Sequence, residues 1–213
     1  MDKSLTGGMK MRKTTLTVLM VLVTALAIHA KNWMATINYN VAVPGQQMKP
    51  YINNTSLIGF ALDARKFVSS NISVGASLGH QVFYWKSHDP ASLENGFFAN
   101  TQYRFLNTLP FMMTTHYYFH MSNGLKPYVG ANVGGYYAWQ RAEMGIVVKE
   151  DRKWRWGLAP EAGMLIPVGT MHMNIGTKLS YLGLPGESSL GDPQKQLFMS
   201  FYVGLSFVDV NWR

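Results

Sequence analysis

The chain has 213 residues, of which only 14% are charged and 13% are aromatic, and it contains no cysteine. This composition is too apolar for a disordered protein and too poor in charge for the surface of an ordinary soluble domain. The formal net charge of +8 includes no clustered basic stripe, so nucleic acid is not expected as a partner. The absence of cysteine excludes disulfides and thiol chemistry.

Residues 1–30 have the pattern of an export signal. Basic residues precede an apolar run from Leu16 to Ile28, and Ala30 is a small residue suited to cleavage. The run is shorter than the roughly 17 to 25 residues that a membrane-spanning helix requires. We therefore predict that residues 1–30 are a signal peptide and that residues 31–213 form one mature domain.

The mature region alternates apolar and polar residues in eight successive segments, which predicts extended strands with two unlike faces. In the last segment, "KQLFMSFYVGLSFVDV", Leu197 and Val203 lie on the apolar face and Ser206 lies on the other. In chain order the predicted strands are 33–43, 57–67, 72–85, 109–119, 127–140, 154–166, 171–181 and 195–210.

The connections between these strands alternate between short and long. The short ones are residues 69–71, 121–126 and 167–170, and the long ones are residues 44–56, 86–108, 141–153 and 182–195. Short turns at one end and long loops at the other are typical of an outer-membrane barrel, with the turns on the periplasmic side. Within the second long connection, "FFANTQYRF" keeps the alternation and is a candidate for a sheet that protrudes from the membrane.

The composition of the two faces favours a membrane barrel over a soluble one. A soluble barrel turns its apolar face inward and meets water with Lys, Glu and Asp, whereas the less apolar face here is mainly Gly, Ser, Thr, Asn and Tyr. That set suits the filling of a narrow lumen. Aromatic residues on the apolar face gather at strand ends, as in the girdles at membrane interfaces. They are Trp33, Tyr84, Tyr117, Phe119, Tyr137, Trp139, Trp154, Trp156, Tyr181 and Phe207.

Four stretches carry a family resemblance: "LPFMMTTHYYF", "LKPYVGANVGGYYAW", "WGLAPEAGMLIPVG" and "FYVGLSF". Together they resemble the outer-membrane protein β-barrel family, the small OmpA/OmpX-like barrels of Gram-negative bacteria. The resemblance covers the mature chain and implies an all-β fold, an eight-stranded antiparallel up-and-down transmembrane β-barrel in the bacterial outer membrane. Its motifs are strand patterns, which specify a fold and leave function open.

Ionisable residues on the inward face are the candidates for a role beyond scaffolding, because charges inside a narrow barrel must be paired or hydrated. They form either a structural ion-pair plug or a polar path for small solutes. The candidates are Asp63, Arg65, Arg155, Glu161, His172 and Lys178.

Pairing Pro167 with Thr170 at the third short turn predicts the register of the last strands. This register sets Trp156 opposite Tyr181 in the outer girdle. It also sets Glu161 opposite Gly176, with Lys178 at a diagonal position.

On the second strand, Arg65 is expected opposite Gly75. From there its side chain could reach Glu161 across the interior, which would make a three-residue network with Lys178.

One segment resembles an enzyme motif. In "FHMSNG", His120 and Ser122 resemble the His-x-Ser-Asn pattern of the lipid A 3-O-deacylases, which act at the outer leaflet. The segment falls at a predicted periplasmic turn, and no carboxylate follows before Glu143, so we interpret it as a turn. The spacing of His116 and His120 does not indicate a metal site on a strand, and the sequence implies no cofactor.

Three functions remain open from the sequence. The first is a non-enzymatic envelope protein that contacts outer-membrane lipid and lipopolysaccharide and binds an external partner through its long loops. The second is a narrow channel for ions or small solutes. The third, which the turn position of the His-x-Ser-Asn segment disfavours, is a lipid A-modifying enzyme.

Overall fold

The computed structural model describes residues 32–87, 91–92, 98–99, 102–121, 124–144, 147–183 and 196–209. Within these ranges eight antiparallel strands form a closed barrel, each pairing with the next in the chain and the last with the first. No helix among the described residues is long and apolar enough to cross a membrane. The expected signal segment, residues 1–30, lies outside the described part of the chain.

The strands follow the alternation seen in the sequence. They are β1 Trp33–Pro44, β2 Ile58–Phe67, β3 Ile72–Ser87, β4 Gln102–Tyr118, β5 Lys126–Met144, β6 Val147–Val168, β7 Met171–Gly183 and β8 Gln196–Asp209. A separate pair of two-residue strands, Ala91–Ser92 and Phe98–Ala99, lies between β3 and β4 in the chain. The predicted fold class is confirmed.

Residue polarity is inverted relative to a soluble protein. Along β2 every second residue is exposed and the residues between are buried, and the exposed set includes Leu62, which keeps 44% of its surface accessible. Met113 on β4 and Val203 on β8 are likewise exposed, at 73% and 47%. The buried set contains many polar side chains, among them Thr36, Asn132 and Ser206. An apolar exterior around a polar interior is the arrangement of a membrane barrel.

Two predicted connections at the outer end are strands instead. β4 begins at Gln102 rather than at residue 109, and residues 141–153, predicted as a long loop, belong mostly to β5 and β6, which leave only residues 145–146 between them. The prediction failed because the outward face of this hairpin carries charged residues above the membrane, while inward residues such as Ala142 stay buried. Charged residues such as Arg141 and Glu150, which pair across the strands, hide the apolar-polar alternation.

The predicted register of the third short turn is also wrong, by two residues. Val168 pairs with Met171 around a two-residue turn in which Gly169 has a φ of 62°. Glycine adopts this backbone conformation without a steric penalty, and a left-handed residue at the first of two turn positions suits a tight hairpin.

The shift changes the partners at both ends of the strand pair. Tyr181 lies opposite Leu158, Trp156 lies opposite Gly183, and Glu161 lies directly opposite Lys178.

This register can be tested with cysteine pairs, because the chain has no native cysteine. We expect a disulfide to form in the variant with Leu158→Cys and Tyr181→Cys, since directly opposed residues have Cα atoms within the roughly 4.4 to 6.8 Å that a disulfide spans. The matched control joins Trp156→Cys to Tyr181→Cys, which are diagonal neighbours at about 7 to 8 Å. Thiol titration after oxidation measures disulfide formation in both variants. Preferential bridging of the control pair would support the register predicted from the sequence, in which Trp156 lies opposite Tyr181.

Candidate functional site

A network of charged side chains fills the middle of the lumen, with Glu161 at its centre. The Lys178 ammonium lies 2.9 Å from one carboxylate oxygen, the Arg65 guanidinium lies 3.8 Å from the other, and the imidazole of His116 contacts that second oxygen as well. Arg65 also lies 3.1 Å from Asp63. Two carboxylates therefore face two permanent cations and a histidine inside the barrel.

Amide side chains complete this network with hydrogen bonds. Asn132 donates to Glu161 at 3.0 Å, and Asn38 donates to Asp63 at 2.8 Å. Asn174 then donates to the Asn38 carbonyl oxygen at 2.9 Å and accepts a hydrogen bond from Tyr128 at 2.8 Å. The network thus includes residues of β1, β2, β4, β5, β6 and β7 and connects opposite walls of the barrel.

A glycine makes room for the contact between His116 and Glu161. Gly130 on β5 pairs with His116 on one side and with Glu161 on the other. A Cβ atom at this position would overlap the imidazole ring of His116. The absence of a side chain at residue 130 therefore allows the imidazole to cross to the carboxylate.

The structure brings four of the six predicted lumen residues together and leaves two apart. Asp63, Arg65, Glu161 and Lys178 belong to the central network. Arg155 is buried on β6 opposite Tyr136, six residues from Glu161 and so about 20 Å along the strand. His172 lies next to the periplasmic turn at the start of β7, within electrostatic reach of Lys126.

Sequence reasoning missed His116 as a member of the network. The sequence did carry a signal, because His116 shares the inward face of β4 with Met112 and Thr114 and is itself almost fully buried. Its pairing with Gly130 and its contact with Glu161 depend on the neighbouring strands. A pattern within one strand does not contain that information.

An aromatic layer closes the lumen below the ionic network, toward the short turns. The tilted rings of Tyr118 and Tyr128 contact each other with centroids 5.4 Å apart, and the Phe67 ring lies 5.3 Å from that of Tyr118. Met34 and Leu165 join the same buried cluster. The Tyr118 hydroxyl accepts a hydrogen bond from Arg65 at 3.3 Å, so this layer is in direct contact with the network above it.

A plug formed by residues 45–56, called here the mouth plug, closes the outer end. Its Met48, Tyr51 and Ile52 side chains are almost completely buried. They join an apolar cluster with barrel residues that include Phe83 and Leu106. The predicted long loop after β1 therefore folds back into the barrel instead of extending outward.

Arg104 on β4 holds the mouth plug in place. Its guanidinium lies over the rings of Tyr51 and Trp85, with distances to the centroids of 5.1 and 4.9 Å. It also donates hydrogen bonds to the backbone carbonyl oxygens of Pro50 and Tyr51 at 3.2 and 3.3 Å. Both cation–π and charge-assisted hydrogen-bond interactions thus stabilise the closed mouth.

A small cavity of about 40 Å³ lies beside Lys178 and Asn38 of the ionic network. Lys178, Asn38 and Ser200 contribute to its polar lining, and Tyr136 and Phe198 contribute to its apolar lining. A volume of this size holds only a few water molecules, since one water requires roughly 10 to 15 Å³. Among the described residues, this space beside the network is too small to hold more than a few water molecules.

The predicted girdle residues face outward at the two ends of the barrel. Trp156 and Trp154 are the most exposed, at 73% and 61%, while Tyr137 and Trp139 are partly covered by ring contacts with each other and with their neighbours. Trp33, Tyr117 and Phe207 lie at the periplasmic end, and Tyr84 and Tyr181 lie at the outer end.

The enzyme-like segment lies only partly within the described residues. His120 shares a hydrogen bond of 3.0 Å with the Asn71 side chain at the periplasmic end, whereas Ser122 is outside them. In the part of the chain that the structure describes, no group of three His, Asp or Glu side chains is placed to hold a metal ion.

Comparison with solved structures identifies the architecture. Neisserial surface protein A has 11% sequence identity and a TM-score of 0.54, and the match covers 84% of this chain and 97% of that one. The Ail protein of Yersinia pestis has 12% identity and a TM-score of 0.48, over 84% and 99% of the two chains. The N-terminal barrel domain of OprF from Pseudomonas aeruginosa has 14% identity and a TM-score of 0.43, over 83% and 98%.

No family model and no curated protein matches the sequence. At 11% identity, the likeness to Neisserial surface protein A concerns the fold alone. That fold, with its apolar exterior and its polar, filled interior, defines an integral membrane protein of the outer-membrane type. The chain has the architecture of a small eight-stranded outer-membrane β-barrel.

The central network can be tested by replacing its shared carboxylate. We expect Glu161→Gln to lower the free energy of unfolding by about 2 to 4 kcal/mol, because Lys178 loses the carboxylate it contacts in a mostly buried site. Urea titration of tryptophan fluorescence in lipid vesicles measures the change. The control is Lys153→Ala, which removes a more exposed pair with Asp151 and should cost less than about 1 kcal/mol. Equal losses would contradict a central role for Glu161.

The space beside His116 supports a second prediction. Gly130→Ala places a methyl group against the imidazole and should destabilise the barrel by about 1 to 3 kcal/mol. Gly135→Ala on the same strand is the matched control, because its methyl group would meet only the Trp154 ring, at 3.3 Å. The same unfolding assay compares the two variants. If Gly130→Ala leaves the free energy of unfolding unchanged, the His116 imidazole can move away from residue 130.

Proposed function

We propose that this protein is a non-enzymatic binding platform of the outer membrane, with a closed barrel that holds an outward-projecting sheet in place. The observation that carries the proposal is the closure of the lumen in three successive layers. The mouth plug, the ionic network and the lower aromatic layer each span the interior. Opposite walls are joined by side chains rather than separated by an aqueous path.

The arrangement of the charges supports a plug over a channel. Conducting lumens offer an ion weak, successive sites, but here each carboxylate lies within 4 Å of a cation. An ion that entered would have to displace Lys178 or Arg65 from a site with little water. The narrow-channel function is therefore the second candidate, favoured only by the small cavity beside Lys178.

The surroundings of His116 support a non-enzymatic role. A histidine beside a carboxylate can serve as a catalytic base only if a substrate reaches it. His116 and Glu161 are enclosed by the aromatic layer on one side and by the mouth plug on the other. The residues of the interior thus stabilise the barrel, and the residues of the exterior bind its partners.

The exterior offers two kinds of partner. The apolar band and its girdle contact outer-membrane lipid, and lipopolysaccharide is the lipid expected at the outer end. The projecting ends of β3, β4, β5 and β6, which rise beyond the other four strands, are placed to meet an extracellular partner.

Planar bilayer recordings test the closed lumen. We expect wild-type barrels to show no stable conductance, and Glu161→Ala alone to remain closed because the layers above and below it are arranged in series. Ile52→Ser, which weakens only the mouth plug, should behave in the same way. Heat-dependent gel mobility verifies that each variant is folded. A large, stable wild-type conductance would overturn the platform proposal and favour the channel.

A further inference from the structure

The outer ends of four strands form a sheet that rises from one side of the barrel. β3 loses its β2 partner beyond Val82, which pairs with Ile58, and β6 gains its β7 partner only at Trp156. Residues 83–87, 102–106, 140–144 and 147–155, called here the outer sheet, therefore continue outward without the other wall.

The two faces of the outer sheet have different surroundings. The inner face is covered in part by the mouth plug, since Arg104 and Trp85 pack against Tyr51. The opposite face carries exposed side chains, among them Tyr84 and Arg152. This face is continuous with the lipid-facing surface of the barrel below it, because strand alternation keeps one face along the whole length.

A chain of ring contacts marks the base of this exposed face. Trp154 lies 5.3 Å from Tyr137, which lies 5.8 Å from Trp139, and Trp139 stacks on His80 at 5.8 Å. We call these four residues, with Phe60 and Phe111 at the two ends, the aromatic belt. Aromatic rings with polar tips prefer the headgroup region of a bilayer, so the belt sets the membrane surface at this wall.

Basic residues lie at the outer edge of the aromatic belt and just above it. Arg152 pairs across the strands with Trp139, Arg141 lies two residues further out along β5, and the Lys86 ammonium lies 5.4 Å from the centre of the Tyr103 ring. Two residues along a strand span about 6.6 Å, so these cations lie at the level of lipid phosphates and sugars. The described outward-facing residues of β1, β7 and β8 include no lysine or arginine.

Carboxylates hold these basic groups without covering them. Arg141 lies 2.7 Å from Glu143 and Arg152 lies 3.3 Å from Glu150, yet the two arginine side chains remain 48% and 63% exposed. A guanidinium has five N–H donors, so each arginine keeps donors for another anion. This face carries an excess of positive charge, because it has three cations and only two carboxylates. The cations are Lys86, Arg141 and Arg152, and the carboxylates are Glu143 and Glu150.

We propose that the outer face of the outer sheet, with the aromatic belt, binds a phosphorylated glycolipid of the outer leaflet. The acyl chains lie on the exposed apolar residues below the belt, among them Leu78, Val133 and Leu158. The sugar rings lie on Trp139 and Trp154, and the phosphates accept hydrogen bonds from Arg141 and Arg152. This site deepens the proposed platform function, since it assigns the lipid partner to one wall.

The test uses the folded full-length mature chain in nanodiscs of neutral phosphatidylcholine, to which diphosphoryl lipid A is titrated. Native mass spectrometry measures the bound fraction. We expect the double variant Arg141→Gln, Arg152→Gln to bind about tenfold more weakly or worse, because both guanidinium groups that donate to the phosphates are lost. The matched control for Arg152→Gln alone is Lys153→Gln, which removes one positive charge from the next residue of β6 on the opposite face and should bind as the wild type does.

Three outcomes would overturn the site. The first is equal weakening in Lys153→Gln, the second is equal binding of lipid A after enzymatic removal of its phosphates, and the third is equal binding of phosphatidylglycerol, which would indicate a general anion surface.

The two proposals can fail independently of each other. If the barrel conducts but still binds lipid A through its phosphates, only the platform function is overturned. If the barrel is closed but does not bind lipid A in this way, only this site is overturned.

Discussion

Every backbone N–H and C=O group that enters the hydrocarbon must find a partner within the protein, and the rest of this structure depends on that constraint. An open sheet would leave two unpaired edges in lipid, so β1 pairs with β8 along its whole length, from Trp33 opposite Asp209 to Pro44 opposite Phe198. Closure with only eight strands leaves an interior just wide enough for side chains. The width of the lumen thus follows from the backbone before any side chain is considered.

A narrow, closed interior determines how its polar residues can be arranged. Side chains that point inward cannot reach bulk water, so their charges must be matched across the barrel. Glu161 satisfies this condition with Lys178 from the neighbouring strand and Arg65 from the opposite wall. Gly130 contributes by leaving space for His116. Stability and closure of the lumen are therefore consequences of the same contacts.

The constraint ends at the membrane surface, and there the barrel becomes asymmetric. Above the aromatic belt, water can satisfy unpaired strand edges, so β3, β4, β5 and β6 continue while their neighbours stop. One face of the resulting outer sheet packs on the mouth plug through Arg104. The other face presents arginines directly over a lipid-facing wall. A protein whose interior is closed can still recognise its surroundings through this exposed face.

The sequence by itself determined the fold class, the number of barrel strands and, within the strands it predicted, the face on which a residue lies, because a period of two is a local property of the chain. Asp63, Glu161 and Lys178 were thereby assigned to the interior. The hairpin above the membrane was missed because its outward face is no longer apolar there, as Arg141 and Glu150 show, so the alternation of apolar and polar residues is lost.

Only the tertiary structure decided which inward residues meet. A slip of two residues leaves every side chain on its own face, so the pattern cannot distinguish the predicted partner of Glu161, Gly176, from the observed partner, Lys178. The conformation of Gly169 at the turn sets that register. The contacts of Arg65 and His116 with Glu161, like the folding of Ile52 into the mouth, join segments distant in sequence, and they exist only because the sheet closes into a ring.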